Sequence, residues 1–426
     1  MSVVWDLPAV TTGEATTANA TAYTLASLVT AGAVLYNVLL CFINTNLFGI
    51  SPTAVVLVEI ALIGAALGLI WHRSYTLYTV LLLFAVYFLA LMVIRSEFDP
   101  KILRDLLIPI VFFFVGRSLG CTRSADRLVT FLIIVALSFA LFEWFAPGMF
   151  LHYFNVVNYY IARGTISGID SENTFVLSSG FFNSSRFDNR TLLPFLGDHR
   201  VSGIFLEAPS VGNFGAIVFA WVLLRERKNY WTFGAKLAAI AAIVVLADAR
   251  FGLYFCIITL IIYAATPYIR TSVLFITPFL VIIALASYAA VSWEGTWDNT
   301  ITGRLLYAGH ILTTLDPLEF YGLLGSNINI GVNFAVNAVN DSGYAYALIK
   351  MGLFGVAGIW ALFALAPVRE RDALRYKNFV ACYYIVLLTI SASVFTIKTA
   401  ALLWFLYGTL SNPSRAEMDP LHFETR

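Results

Sequence analysis

The strongest constraint on this chain is a series of long apolar stretches, each near the length needed to cross a bilayer. A helix needs roughly 20 apolar residues to traverse about 30 Å of hydrocarbon. Candidate spans run over 23–43, 52–71, 74–94, 104–120, 128–147, 205–224, 233–248, 250–266, 271–291, 343–366, 378–395 and 398–411. The last two are short enough to be one bent span, or a span followed by a re-entrant half-helix. Of the 426 residues only 12% are charged and 60% are hydrophobic, and the mean hydropathy is +0.82. Soluble domains carry about 25% charged residues, whereas a charge placed in hydrocarbon costs several kcal/mol. The expectation is an all-α integral membrane protein, a polytopic bundle of about 12 transmembrane helices. No segment is polar enough to be a soluble domain. The net charge of +1 argues against nucleic acid as a partner.

Charge placement predicts the orientation. With the N-terminus inside, the inner loops and their flanks hold Arg73, Arg117, Arg123, Arg127, Arg225, Arg227, Lys228, Lys236, Arg270, Arg369, Arg371, Arg375 and Lys377. The short outer loops hold only Arg95, Lys101, Arg104, Arg250 and Lys398. Lys/Arg bias in short loops sets orientation, so both termini are expected on the cytoplasmic side. The chain then divides into a cytoplasmic segment (1–22), five helices (23–147), a first large outer loop (148–204), helices six to nine (205–291), a second large outer loop (292–342), the C-terminal helices (343–411) and a cytoplasmic tail (412–426). The first twenty residues contain no Lys or Arg, so targeting is expected to rest on the first span rather than on a signal peptide. Cys41, Cys121, Cys256 and Cys382 lie in or beside apolar segments and form no CxxC pair or zinc spacing.

Both outer loops exceed ordinary connection lengths, which points to function or disorder; their aromatic density argues against disorder. Tyr159, Tyr160, Phe181, Phe182, Trp293 and Trp297 offer either flat faces for sugar rings or an interfacial aromatic belt. Arginine is permanently charged and grips phosphate oxygens as a fork. Arg200, Arg250 and Arg304 stand at or near outer helix ends or in the second loop, where several arginines suit a lipid-attached pyrophosphate; snorkelling to headgroups or pairing with Asp248, Glu207 or Asp341 is the other reading. Arg163, Arg186 and Arg190 also lie in the first loop, with nothing to fix their direction.

Two carboxylates are candidates for acid–base work. Glu207 in RVSGIFLEAPSVG is expected at the mouth of the sixth helix, because Ala208 precedes Pro209. It either stabilises the helix end or works chemically. Asp341, just before the tenth helix, either caps it or does the same. Glu59, Asp105, Glu143 and Lys350 are intramembrane ionisable residues, functional by default unless they pair with each other. No GxxxxGK[ST], HExxH or GxSxG motif is present, so nucleotide-driven, zincin and serine-hydrolase readings lose support. Asp170-Ser-Glu172 and Glu97-Phe-Asp99 are acid-x-acid pairs that hold a metal in some lipid-linked glycosyltransferases.

The order RxxGxxxE entering a helix, an Arg in a short outer turn, then a second long loop ending in DSGYAYALIKMGLFG resembles the bacterial O-antigen polymerase and O-antigen ligase superfamily, including exopolysaccharide polymerases of the Wzy type. The resemblance covers the layout of residues 100–410. It implies a GT-C-like helical bundle in the bacterial inner membrane, with two large periplasmic loops closing over undecaprenyl-pyrophosphate glycans. Carried over, Arg200 and Arg250, with Arg304, would bind the pyrophosphate. Ligases tend to carry a histidine where this chain has Asp341, which favours a polymerase; the family commonly has Ser before the short-turn arginine, where this chain has Ala249. The implied reaction is an inverting glycosyl transfer, with arginines stabilising the leaving group and Asp341 or Glu207 orienting or deprotonating the acceptor hydroxyl. No metal or other cofactor is required if the arginines carry the charge. The implied partners are the lipid-linked oligosaccharide donor and acceptor, membrane lipids and a protein that regulates chain length. A transporter or glycan flippase is the rival, but its polar groups would sit near the midplane in repeated halves, and no repeat is visible here. Single cysteines placed in 160–190 and 295–335 should react with an impermeant reagent from the outer side; protection of both regions in inserted protein refutes the orientation.

Overall fold

The computed structural model describes residues 15–72, 74–96, 100–165, 180–181, 192–197, 199–225, 229–295, 300–324, 342–368 and 370–412. These residues are helical with no strand among them. Long helices are α1 (Ala15–Asn46), α2 (Pro52–Ile70), α3 (Tyr75–Arg95), α4 (Pro100–Leu119) and α5 (Thr122–Phe145). Two short ones follow, α6 (Pro147–Tyr153) and α7 (Val156–Ala162), and then α8 (Ala208–Arg225), α9 (Tyr230–Ala247), α10 (Arg250–Ala265) and α11 (Thr271–Ser292). The remainder are α12 (Ile301–Thr314), α13 (Pro317–Phe320), α14 (Gly343–Ala364), α15 (Arg371–Ile390) and α16 (Ile397–Leu410). Polar caps begin several of them: Ser51 accepts from the Ala54 amide at α2, Ser74 from Leu77 at α3, and Thr300 from Gly303 at α12.

Among the described residues, nine helices are long and apolar enough to cross a membrane; the chain is a multi-pass membrane protein. The other three expected spans are helical but fall short. Segment 104–120 lies in α4, which carries Lys101, Arg104, Asp105 and Arg117. Segment 378–395 ends at Ile390 and passes into a 3-10 turn, Ala392–Phe395. Segment 398–411 is the 14-residue α16, about 21 Å long at 1.5 Å per residue. Among the described residues the most exposed tyrosines and tryptophans are Trp231, Tyr75, Tyr268 and Tyr230, all at helix ends and within a few residues in sequence of a Lys or Arg. Amphipathic rings beside basic residues at helix ends are what a membrane–water boundary selects.

The chain forms two compact units, one from Ser74–Ile110 and Ile262–Thr396, the other from Pro8–Arg73, Val111–Ile261 and Ile397–Arg426. In the first, α14 is broken at Gly352 (φ 70°, ψ 165°). The freed carbonyls are met by side chains: Arg95 donates to those of Ile349 and Lys350, as well as to that of Gly322 after α13, and the Tyr87 hydroxyl donates to that of Met351 at 2.8 Å. Arg95 is thus committed to backbone carbonyls. The segment expected to form the second large loop contains α12, which lies along α11, where a Cβ at Gly309 would strike the Leu285 carbonyl.

In the second unit, α4 and α16 meet at backbone distance. A Cβ at Gly116 would strike the Phe405 carbonyl, and one at Gly408 the Phe113 carbonyl. Small residues permit such approach where lipid supplies no hydrophobic drive between helices. The segment expected to form the first large loop begins with α6 and α7, whose Phe150, Val156, Tyr159 and Tyr160 are buried, and a 3-10 turn, Gly203–Phe205, lies at its end.

Gly352→Ala should lower detergent unfolding stability by about 2 kcal/mol or more, because the backbone conformation there is essentially restricted to glycine and the new Cβ would meet the Tyr321 carbonyl. Gly68→Ala, in open space on α2, is the control and should leave the melting midpoint unchanged or slightly raised.

Candidate functional site

The polar residues of the second unit converge at the start of α8. Glu207 directly precedes that helix, as expected, and Leu206 before it adopts φ 60°. A buried leucine in the left-handed region is held there by its surroundings at a cost of about 1–2 kcal/mol, and such outliers gather at functional sites. Lys398 Nζ lies 2.7 Å from Glu207 Oε1, the Tyr160 hydroxyl donates to the same oxygen at 2.7 Å, and the Ser210 hydroxyl donates to Oε2 at 3.1 Å. Burial opposes the charge on Glu207, but Lys398, with Tyr160 and Arg163, outweighs it and holds the carboxyl below its ordinary range. Burial, and then the Glu207 charge, push the Tyr160 phenol well above its ordinary value, so it remains a donor. The site therefore presents an ionised carboxylate of which 24% of the side chain is still accessible.

A second cluster adjoins it through α7. Arg163 donates to Asn37 Oδ1 at 3.2 Å and lies 3.8 Å from Glu59 Oε1. Glu59, 2% exposed, accepts from the Tyr36 hydroxyl at 2.6 Å, and Asn37 Oδ1 also accepts from the Tyr159 hydroxyl at 2.8 Å. These contacts tie α7 to α1 and α2. Tyr159 and Tyr160 are therefore buried hydroxyl donors, neither sugar platforms nor an interfacial belt. Phe181 is buried against Phe150 and His199. Trp293, in the first unit, stacks on His310 at 4.5 Å. Phe182 and Trp297 lie outside the described residues.

The segment before Glu207 is fixed by another buried acid. Glu143 accepts from the backbone amides of Ser202 (2.9 Å) and Gly203 (2.6 Å), from the Ser202 hydroxyl, and meets His199 Nε2 at 3.1 Å. Beside this, Arg200 Nε and Nη2 donate to the carbonyls of Ala247 and Asp248, both at 3.2 Å. Arg200 thus grips the turn that carries Arg250. The same turn packs on α8, where a Cβ at Gly212 would meet Ala249 Cβ at 2.5 Å. Arg250 opens α10 half-buried and makes no ion pair or hydrogen bond with the described residues.

Of the expected site residues, then, Arg200, Arg250 and Glu207 are brought to one end of the α8–α9–α10 bundle. Arg200 spends its donors on backbone, and Glu207 pairs with Lys398 rather than with an arginine. Arg304 lies on α12 in the first unit. Asp341 lies outside the described residues; the N-cap of α14 is Ser342, whose side chain accepts from the Ala345 amide at 3.4 Å. Glu59, Asp105 and Glu143 pair with Arg163, Arg104 and His199 instead of with each other. Arg186, Arg190 and both acid-x-acid pairs, Asp170/Glu172 and Glu97/Asp99, fall outside the described residues. No group of three or more metal-ligating side chains occurs among the described residues. Lys398 and Arg163 were not legible as site residues. The available signals were a lone lysine opening an apolar stretch, and Tyr159, Tyr160 and Arg163 at helical spacing. Comparison with family models, with curated proteins and with solved structures found no match.

Arg163→Ala should cost roughly 3–5 kcal/mol of stability by leaving Glu59 buried without its cation. Arg163→Ala combined with Glu59→Gln should recover part of that loss in a double-mutant cycle. Equal unfolding midpoints for wild type and Arg163→Ala refute the assignment.

Proposed function

We propose that this protein is a membrane-embedded polysaccharide polymerase that joins undecaprenyl-pyrophosphate-linked repeat units at the periplasmic face by inverting glycosyl transfer. The observation that carries the reading is one end of a helical bundle holding an ionised, partly accessible Glu207 beside a turn that presents Arg250. A carboxylate and a guanidinium presented at the same end of a bundle are what such a transfer needs. Glu207 takes the proton of the acceptor hydroxyl, the acceptor oxygen bonds to the anomeric carbon, and the bond from that carbon to the pyrophosphate oxygen breaks. The electron pair leaves with undecaprenyl pyrophosphate, whose growing charge meets Arg250, a preorganised cation. Arg200 supports this role by holding the Arg250 turn. Arg304 and Asp341 enter the proposal through the resemblance to O-antigen polymerases and ligases alone. Twelve crossings, both termini in the cytoplasm and placement in the bacterial inner membrane complete the proposal, with charge bias and the exposed Tyr and Trp residues at helix ends in support. The lipid-linked donor and acceptor are the implied partners, together with a regulator of chain length.

The break in α14 at Gly352 favours a second reading, because transporters place binding sites at discontinuous helices. Its carbonyls are already taken by Arg95 and Tyr87, which weighs against an ion or substrate there.

Purified protein given lipid-linked repeat units should produce a ladder of longer lipid-linked products. Transfer of a single glycan to a lipid-A-like acceptor without a ladder would identify a ligase instead, and substrate movement without bond formation a transporter. Arg250→Ala should abolish the ladder at unchanged protein level, and Arg250→Lys should rescue it poorly, since a point charge does not reproduce a fork. Glu207→Gln should cost about 10²-fold or more. With the cap supplied by Ser342, Asp341→Asn separates a chemical from a silent Asp341: a comparable loss makes it a second acid–base group, and a full ladder leaves Glu207 alone.

A further inference from the structure

We propose that Lys398 is a positioning residue that keeps Glu207 ionised and aimed, an inference that rests on the glycosyl-transfer reading for its role in catalysis. Lys398 comes from the 14-residue α16, and its ammonium reaches Glu207 Oε1 at 2.7 Å while being only 4% exposed itself. Its place is set by backbone contacts: α16 is pressed onto α4 where a Cβ on Gly116 or Gly408 would strike a facing carbonyl. Lys398 is therefore carried on a rigid element rather than swung in from a loop. Glu207 Oε1 is doubly engaged, by Lys398 and by the Tyr160 hydroxyl. Oε2 carries the Ser210 hydroxyl at 3.1 Å, the weaker of the two settings, and is the oxygen to receive a proton.

The groups that face Glu207 come from every element packed on it. They are Tyr160 on α7 and Arg163 just after it, Ser210 on α8, and Lys398 on α16, with Glu59 on α2 and Tyr36 on α1 engaged behind Arg163. Glu59 already faces Arg163, so Lys398 is the cation directly bonded to Glu207. Removing it leaves a half-buried carboxylate with hydroxyl donors and only the more distant Arg163 charge, and a half-buried carboxylate that loses its bonded counter-charge takes up a proton at higher pH. The base is active when ionised, so its rate falls as pH drops through its pKa. Loss of Lys398 must therefore move the acidic limb of the pH–rate profile upward.

The experiment uses the full chain in nanodiscs and reads two quantities. One is the isotope-edited infrared titration of the Glu207 carboxyl, assigned by its loss in Glu207→Gln. The other is the pH profile of ladder formation with lipid-linked repeat units. Lys398→Met should raise both midpoints by about one pH unit or more, whereas Lys398→Arg should leave them near wild type. If Lys398→Met does not fold, the double variant with Glu207→Gln leaves no unpaired charge and should fold; failure to do so overturns the pairing. A carboxyl titration in folded Lys398→Met that matches wild type overturns the proposal. Wild-type protein that makes no ladder overturns the polymerase reading instead, and the infrared midpoint then decides separately whether Lys398 sets the charge of Glu207.

Discussion

A charge or an unpaired backbone group inside a bilayer has no water to turn to, and the structure follows from meeting that demand. Three buried acids each have a specific answer: Glu59 has Tyr36 and Arg163, Asp105 has Arg104 and Tyr346, and Glu143 has two backbone amides, a serine and a histidine. The same demand explains Arg95, whose guanidinium takes up the carbonyls left by the break at Gly352. Because these partners come from distant parts of the chain, satisfying them also determines which helices meet.

At the candidate site the demand is met with something left over. Glu207 is held by a lysine and two hydroxyls yet remains partly accessible. Leu206 is kept in a left-handed conformation immediately before it, so the carboxylate leaves the backbone in a direction an ordinary helix start would not give. Arg200 anchors the neighbouring turn, and Arg250 is presented from it. Under the proposed glycosyl transfer these residues divide the labour: a base for the acceptor, supported by its ion pair with Lys398, and a cation for the departing pyrophosphate, on a turn that Arg200 holds by its carbonyls.

The described aromatic residues of the first long loop take a different part from the one their composition suggests. Tyr159, Tyr160 and Phe181 serve the interior, where their rings fill space and the two phenols donate to Asn37 and Glu207. An alternation of aromatic and polar residues marks a segment that packs and hydrogen-bonds at once, and sugar binding is one of several uses for such a surface. The described start of this segment, α7, is tied to α1 and α2 by Asn37 and Glu59, and Tyr160 ties it to Glu207 before α8.

The sequence by itself determined the class of protein, since stretches near twenty apolar residues with few charges admit a bilayer helix and little else. It also placed Glu207 at the mouth of α8, because proline and its predecessor restrict the backbone locally, and it put Arg250 in a tight turn for the same local reason. Tertiary structure alone decided what those side chains touch. Lys398 is far from Glu207 in sequence, and no local rule pairs them; close approach of α4 and α16 does. Arg200, read as a pyrophosphate ligand from its charge, is committed to two carbonyls because α9 ends beside it. Arg163, which no local pattern aimed, is fixed by Asn37 and Glu59 on helices it does not belong to. Local sequence dictates where a helix starts and what it dissolves in, while the partners of a charge are set by the three-dimensional search for the few groups that can compensate it.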